Sequence, residues 1–345
     1  MRRFLLICLC SSVGRAAVSK TVGRGFEAFF PCHSIEVRGF SLNFFFVALF
    51  KLIIMTILFI ILLVLLSAVI SEFVCCYKIN VVFYNETISG VNSECRVVLI
   101  SDLHCRQYGE NNSRLIYLVA KQKPNAVFMA GDMLSRNADE KDISEFTTLV
   151  SMLKELAPVY YSLGNHESDF PEEKLERVKS AVTAAGGVLV YNDYIDVNLG
   201  VNRLRLVGLS GDKEMWLDFG SDVPKAPEQN ELHEFLGALR HCDLPTVWLA
   251  HKPDMMIFFD PHKDYRMDLV LSGHVHGGLW RIPGVGGVFS PSEGLFPHYD
   301  KGEYSFGSAR LILSGGLAGY GLIPRIFNLP EICVITLSPE YKNKI

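Results

Sequence analysis

Arg96-Val-Val-Leu-Ile-Ser-Asp-Leu-His104 is a short apolar run that stops at a serine and is followed at once by an aspartate and a histidine. Such a run, too short for a helix and without polar alternation, predicts a strand buried on both faces. The same grammar returns along the chain in Ala126-Val-Phe-Met-Ala-Gly-Asp132, Val159-Tyr-Tyr-Ser-Leu-Gly-Asn-His-Glu167, Thr246-Val-Trp-Leu-Ala-His251 and Leu269-Val-Leu-Ser-Gly-His-Val-His276. In each case the residues able to carry chemistry come just after the strand. Open α/β sheets bind ligands in the crevice outside the carboxyl ends of their strands, where loops on a rigid sheet can aim several side chains at one point.

Working outward, further strands are expected at Arg203 to Leu209, Arg310 to Ser314 and Ile332 to Leu337. Amphipathic segments at 111–122, 141–156, 172–185 and 229–240 predict helices between them, which makes an α/β domain. The Gly- and Pro-dense stretch from Gly277 to Gly307 reads as an ordered loop excursion, because it also holds Trp280, Phe289, Phe296 and Tyr299.

A lone D-x-H or G-D pair carries little information, whereas Gly164-Asn-His-Glu167 and Gly273-His-Val-His276 are more specific and the ordered set of all five is specific. That set resembles the calcineurin-like metallophosphoesterase superfamily, whose pattern is D-x-H, G-D, G-N-H-[DE], H and G-H-x-H. The resemblance runs from Arg96 to the C-terminus. It implies a four-layer α/β/β/α sandwich with two divalent metal ions at the strand ends. By the same resemblance Asp102, His104, Asp132 and His276 hold one ion, and Asp132, Asn165, His251 and His274 hold the other. Asp132 would then bridge, as a carboxylate can when two cations lie ~3.5 to 4 Å apart. Imidazole, carboxylate and amide ligands together suit Mn, Fe, Zn or Co better than Ca. The implied activity is hydrolysis of phosphate esters by a hydroxide shared between the ions, with His166, beside Asn165, as general acid toward the leaving oxygen. His33, His233, His241, His262 and His298 keep an ordinary surface or core reading.

Gly273-His-Val-His-Gly-Gly278, Arg281-Ile-Pro283 and Pro324-Arg-Ile-Phe-Asn-Leu-Pro-Glu331 are similar to the membrane-associated bacterial branch related to YkuE and YaeI phosphodiesterases. Leu279-Trp280 stands where that branch usually has Gln, and Ser314-Gly-Gly-Leu-Ala318 replaces the common Ser-Arg-Gly-Leu, so one basic residue that could hold substrate is missing. Arg281 and Arg325, with Arg106 and Arg136, are candidate phosphate contacts. A small-molecule or lipid-linked phosphoester is the expected substrate, including a phosphodiester, a phosphomonoester or the pyrophosphate of a nucleotide-linked lipid. Phosphoprotein phosphatases extend the motifs as G-D-x-V-D-R-G and R-G-N-H-E. Here those places read Gly131-Asp-Met-Leu-Ser-Arg136 and Ser162-Leu-Gly-Asn-His-Glu167, which disfavours a phosphoprotein. A non-catalytic scaffold of the same fold would show eroded ligands, and none of these is eroded.

Lys51 and Glu72 enclose twenty uncharged residues, Leu52 to Ser71, apolar all around the helix. At 1.5 Å per residue they reach roughly 30 Å, which predicts a single transmembrane helix within an anchor at 43–74. A linker or first strand follows at 75–94, then the catalytic domain at 95–345. Seven Lys or Arg against two Glu in residues 1–51 favour a cytoplasmic N-terminus and an extracytoplasmic enzyme. Residues 1–42 are nevertheless set aside as a non-structural extension, with a spurious origin as one reading. Ser11 to Ala16 and Gly23 to Glu27 look like translated transfer-RNA arms, and Met55 is an alternative start. A net charge of -4 gives no basic surplus for nucleic acid, and the nine scattered cysteines, without a C-x-x-C pair, read as unpaired thiols.

Overall fold

The apolar runs become strands whose alternate residues serve two different cores. A computed structural model describes residues 40–209, 239, 242–254, 256, 266–320 and 323–340, and of 40–45 and 75–77 the backbone alone. The first sheet has the order β1 (Asn80–Ile88), β15 (Glu331–Pro339), β2 (Cys95–Ile100), β3 (Ala126–Ala130), β4 (Val159–Ser162) and β5 (Val188–Leu189). Strands β2 to β5 are parallel, and β15 runs antiparallel to β2. The second sheet has the order β13 (Gly302–Phe306), β14 (Ala309–Leu313), β9 (Leu269–Ser272), β8 (Thr246–Ala250), β7 (Asn202–Leu209) and β6 (Asp193–Leu199). Its inner strands β14, β9, β8 and β7 are parallel, with antiparallel edges on both sides.

Because side chains alternate along a strand, Val97 and Leu99 of β2 point to one face and Val98 and Ile100 to the other. The first pair joins Phe128, Leu206, Leu249 and Leu271 in a core between the two sheets. The second pair packs with Leu115, Val119, Phe146, Val150 and Val178 from the helices α2 (Ser113–Gln122), α3 (Glu140–Lys154) and α5 (Glu172–Ala184). α3 starts on a capping box in which the Asp139 carboxylate accepts from the Asp142 amide and the Asp142 carboxylate accepts from the Asp139 amide. Trp248, Val270 and Leu311 on the outer face of the second sheet pack with Leu239 and Met256. Three layers, helices, sheet and sheet, are thus defined. The fourth, helical layer and the helix expected at 229–240 fall, Leu239 apart, outside the described residues.

Two expectations change. Residues 277–307 are not a loop excursion: they form β10 (Trp280–Ile282), β11 (Gly286–Ser290) and β12 (Gly294–Leu295), a separate three-stranded sheet, and then β13. The frequent glycines hid this, since they break the periodicity on which a strand is recognised while serving the tight turns between very short strands. Asn80–Ile88, expected as a linker or first strand, pairs along its whole length with β15 and so belongs to the catalytic sheet. Ahead of it α1 (Phe40–Tyr77) runs past the expected 43–74 at both ends, and its apolar stretch Phe46–Val74 is long enough to cross a membrane. Cys95, Cys105, Cys242 and Cys333 are free thiols.

Candidate metal centre

Sheet geometry brings the polar residues that follow β2, β3, β4, β8 and β9 to one place. Asp102, His104 and His276 form one group whose ligand atoms all lie within 4.8 Å of one another, and Asp132, His251 and His274 form another. His166 makes a third group with His104 and Asp132. The Asp132 carboxylate sits between the sets, with one oxygen 3.2 Å from His251 Nε2 and 3.7 Å from His104 Nε2. All seven residues expected as ligands converge here, Asn165 included: it opens the single-turn helix α4 (Asn165–Ser168) and borders the same cleft as Asp132 and His274.

The backbone accepts strain to achieve this. Asp102, His104, Asp132, His274 and His276 all adopt positive φ, between 46° and 75°, a region that non-glycine residues rarely occupy. The sharp bends turn each side chain back across its strand end. The motif glycines have a steric reason. A Cβ on Gly164 would overlap the Asp132 carboxylate, and one on Gly273 would overlap that of Asp102.

Neighbouring carbonyls orient the imidazoles. His251 Nδ1 donates to the Ala130 carbonyl at 2.7 Å and His276 Nδ1 to that of Ala318 at 3.2 Å, which leaves Nε2 of each ring facing the carboxylates. Burial holds His274 and His276 well below the usual imidazole range and His104 down to about 4, so these rings are neutral and offer lone pairs. Burial opposes ionisation of Asp132, but the surrounding imidazoles, His251 foremost, outweigh it and keep the carboxyl well below its ordinary value. Asp102 Oδ2, His104 Nε2 and Asn165 Oδ1 are buried and have no hydrogen-bond partner in the protein. Desolvated acceptors converging beside two carboxylates are costly unless a cation meets them, so the donor set fits metal ions.

Glu167 braces the site in a way that was not legible in the motif. Its buried carboxylate accepts from the amides of Asp132 at 3.0 Å, Leu134 at 2.8 Å and Gly164 at 2.9 Å, tying the loop after β3 to that after β4. Burial, then the Asp132 charge, pushes it up to about 7. The sequence showed it only as the last letter of Gly164-Asn-His-Glu167. Lys252 and Tyr320 also border the cleft over Asp132 and His274. The only sequence signal for Lys252 is its place directly after His251.

The four arginines separate. Arg106 and Arg136 line a cavity of about 630 Å³ that reaches His104 and His166, and Arg136 also borders the inner cleft while its Nε donates to Asp169 at 2.6 Å. Arg325 is fully buried, with Nε donating to the Ala318 carbonyl at 2.8 Å and Nη2 to that of Gly315 at 2.6 Å. Arg281 donates to the Gly277 carbonyl and pairs with Asp300 at 2.8 Å. Both therefore brace loops. Asn328 donates to the His276 carbonyl and Glu331 accepts from the Gly315 amide, so 324–331 shapes the loop whose Ala318 orients His276.

The chain matches the calcineurin-like phosphoesterase family over residues 95–278 and belongs to it. Phosphodiesterase YaeI of Escherichia coli is 29% identical over 245 residues, covering 70% of this chain and 82% of that protein. The metallophosphoesterase YkuE of Bacillus subtilis is 26% identical over 70% of this chain and 78% of its own length. UDP-2,3-diacylglucosamine pyrophosphatase LpxG of Chlamydia muridarum is 35% identical over 98 residues, 27% of this chain and 29% of that one. With the His and Asp clusters in place, this protein is a metal-dependent phosphoester hydrolase of the YaeI and YkuE branch.

Proposed function

We propose that the protein hydrolyses the phosphoester or pyrophosphate of an amphipathic, lipid-linked substrate, using two transition-metal ions held by the seven residues above. The observation that carries the two-ion reading is the Asp132 carboxylate lying between both imidazole sets. Asp102, His104, Asp132 and His276 would hold one ion and Asp132, Asn165, His251 and His274 the other. When bound, such a pair activates water as the nucleophile and offsets charge on the phosphoryl oxygens.

Around that centre the chain's own groups divide the work. His166 donates its backbone amide to Asp132 Oδ1 at 2.9 Å and presents its ring to both the cleft and the cavity. It is the group placed to give a proton to the leaving oxygen. Arg136 and Arg106 are the cationic groups that a phosphate entering by the cavity would meet. The lipid-linked part of the proposal is supported by the pyrophosphatase relative and by Glu72, near the end of α1, which lines the same cavity. If translation starts at Met1 rather than Met55, the N-terminal charge bias favours an extracytoplasmic catalytic domain.

Turnover of bis(p-nitrophenyl) phosphate by the purified full chain with Mn²⁺ tests the site. Asp132→Asn and His166→Ala are each expected to abolish most of it. Unchanged turnover in both would reject the assignment of the site, whereas no metal-dependent turnover by the unsubstituted chain would favour a non-catalytic scaffold.

A further inference from the structure

The metal centre and the membrane-side end of α1 share one stretch of chain. Ser71 and Glu72 hydrogen-bond to residues 325–327: the Arg325 amide donates to Glu72 at 3.0 Å and the Phe327 amide to Ser71 Oγ at 2.8 Å. If α1 spans, its uncharged core is Leu52 to Ser71, and Glu72 then lies at the edge of the hydrocarbon. The segment around Arg325 is held at that level too.

From there a continuous ladder leads away. Ile326 bridges to Trp280 of β10, the Arg281 amide donates to the Ile326 carbonyl at 2.9 Å, and the Trp280 indole donates to the Pro324 carbonyl at 3.2 Å. β10 pairs with β11 and β11 with β12. This small sheet carries Val285, Leu295 and Phe296 at 68%, 69% and 65% exposure, and Phe327 beside it is 54% exposed. A soluble surface seldom gathers large apolar side chains at adjacent turns. The β10–β11 turn within Ile282-Pro-Gly-Val-Gly-Gly287 and the stretch Gly294-Leu-Phe-Pro297 that begins with β12 contain no charge, Glu293 lies in the turn between β11 and β12, and Arg281 is paired with Asp300.

We propose that the β10–β12 sheet and Phe327 form a membrane-contact face, dipping into the same leaflet in which α1 ends. The cavity lined by Glu72, Pro324 and Ile323 on one side and His104, His166 and Arg136 on the other then opens at the headgroup layer. A phosphoester at that depth reaches the metal centre without its lipid tail leaving the bilayer. The occupant is the lipid surface itself, not a second protein, because the face is continuous with the anchor. The uncharged, apolar tips at Val285 and Leu295-Phe296 match the acyl boundary better than anionic headgroups.

This inference rests on α1 being the anchor and on the proposed lipid-linked substrate, so the test reads depth rather than activity. Full-length Leu295→Trp is reconstituted in phosphatidylcholine vesicles whose acyl chains are brominated. Its emission, after subtraction of the unsubstituted chain, is compared with that of Val201→Trp, which lies on the turn between β6 and β7 at 73% exposure. Quenching at least about twofold stronger at 295 than at 201 is expected for a side chain seated in the interface. Equal quenching at both sites overturns the proposal. So does an unquenched Leu295→Trp with doubled particle mass, which assigns the face to a second copy of the chain. Flotation of the vesicles after a high-pH wash reads the anchor separately, so an anchored but unquenched Leu295→Trp removes the docking face alone. The soluble-ester turnover of that variant is expected to stay unchanged.

Discussion

The two sheets contribute to the metal centre in unequal kinds. The first, through the loops after β2, β3 and β4, supplies both carboxylates, the amide and the candidate acid: Asp102, Asp132, Asn165 and His166, with His104. The second, through β8 and β9, supplies only imidazoles: His251, His274 and His276. One sheet therefore carries the negative charge that would offset two cations, and the other carries no carboxylate, only imidazoles: burial keeps His274 and His276 neutral, while at His251 burial is outweighed by Asp132, its charge foremost, which raises the ring to about 9. The candidate centre is made at the seam, and the groups that could hold each ion draw residues from both sheets.

That division can be broken at its middle. Asp132→Asn removes charge from both sets, and turnover of bis(p-nitrophenyl) phosphate is expected to fall by about three orders of magnitude or more, with bound metal measured by elemental analysis dropping toward none. His166→Ala is expected to cost about 10²- to 10⁴-fold in turnover while metal content stays at the parent level, because proton transfer is lost and the ligand set is not. If metal is lost as well, His166 belongs among the ligands. On the imidazole side, His274→Ala is expected to leave one ion per chain where Asp132→Asn leaves fewer. Equal losses in the two variants would dissolve the contrast between the sheets.

Smaller effects test what ties the charged side together. Glu167→Gln keeps the shape but replaces one carboxylate oxygen by an NH2 that can only donate, so at least one of the three amides faces another donor, and a loss of about 1–3 kcal/mol in denaturant unfolding is expected. Away from the site, Glu86 on β1 is buried, and burial, with Glu303 nearby, raises its carboxyl to about 7. A raised carboxyl stabilises the fold fully only below its unfolded value of about 4.5; that stability is lost as pH rises through about 7. Glu86→Gln is therefore expected to match the parent near pH 4 and to exceed it by about 1–3 kcal/mol at pH 8, read from unfolding curves at both pH values. A gain at pH 4 equal to that at pH 8 would refute the linkage.

Much of this was legible in the chain because the evidence was local. A buried parallel strand must be a short apolar run, and a residue placed just past it must lie at the sheet's carboxyl edge. That is why Ala126–Ala130, Val159–Ser162, Thr246–Ala250 and Leu269–Ser272 are strands that each end just before their polar segment. The strands missed were of another kind. Asp193–Leu199 is an edge strand with polar residues facing out, and β10 to β12 are too short and glycine-rich to show a period. Arg325 was equally opaque: a lone arginine in a Pro-rich stretch has the same sequence signature whether it meets phosphate or, as here, backbone carbonyls.

By itself the sequence determined the strand grammar, the order of the five polar segments and a hydrophobic helix between Lys51 and Glu72, since each depends only on neighbours along the chain. Only the tertiary structure decided which sheet supplies charge and which supplies imidazole, that Glu167 ties two loops together, and that the end of α1 meets the segment beside the cavity. Those relations join residues separated by up to about 250 positions, such as Glu72 and Arg325. No local periodicity encodes such a distance, because it is set by how two sheets twist and pack over a common core.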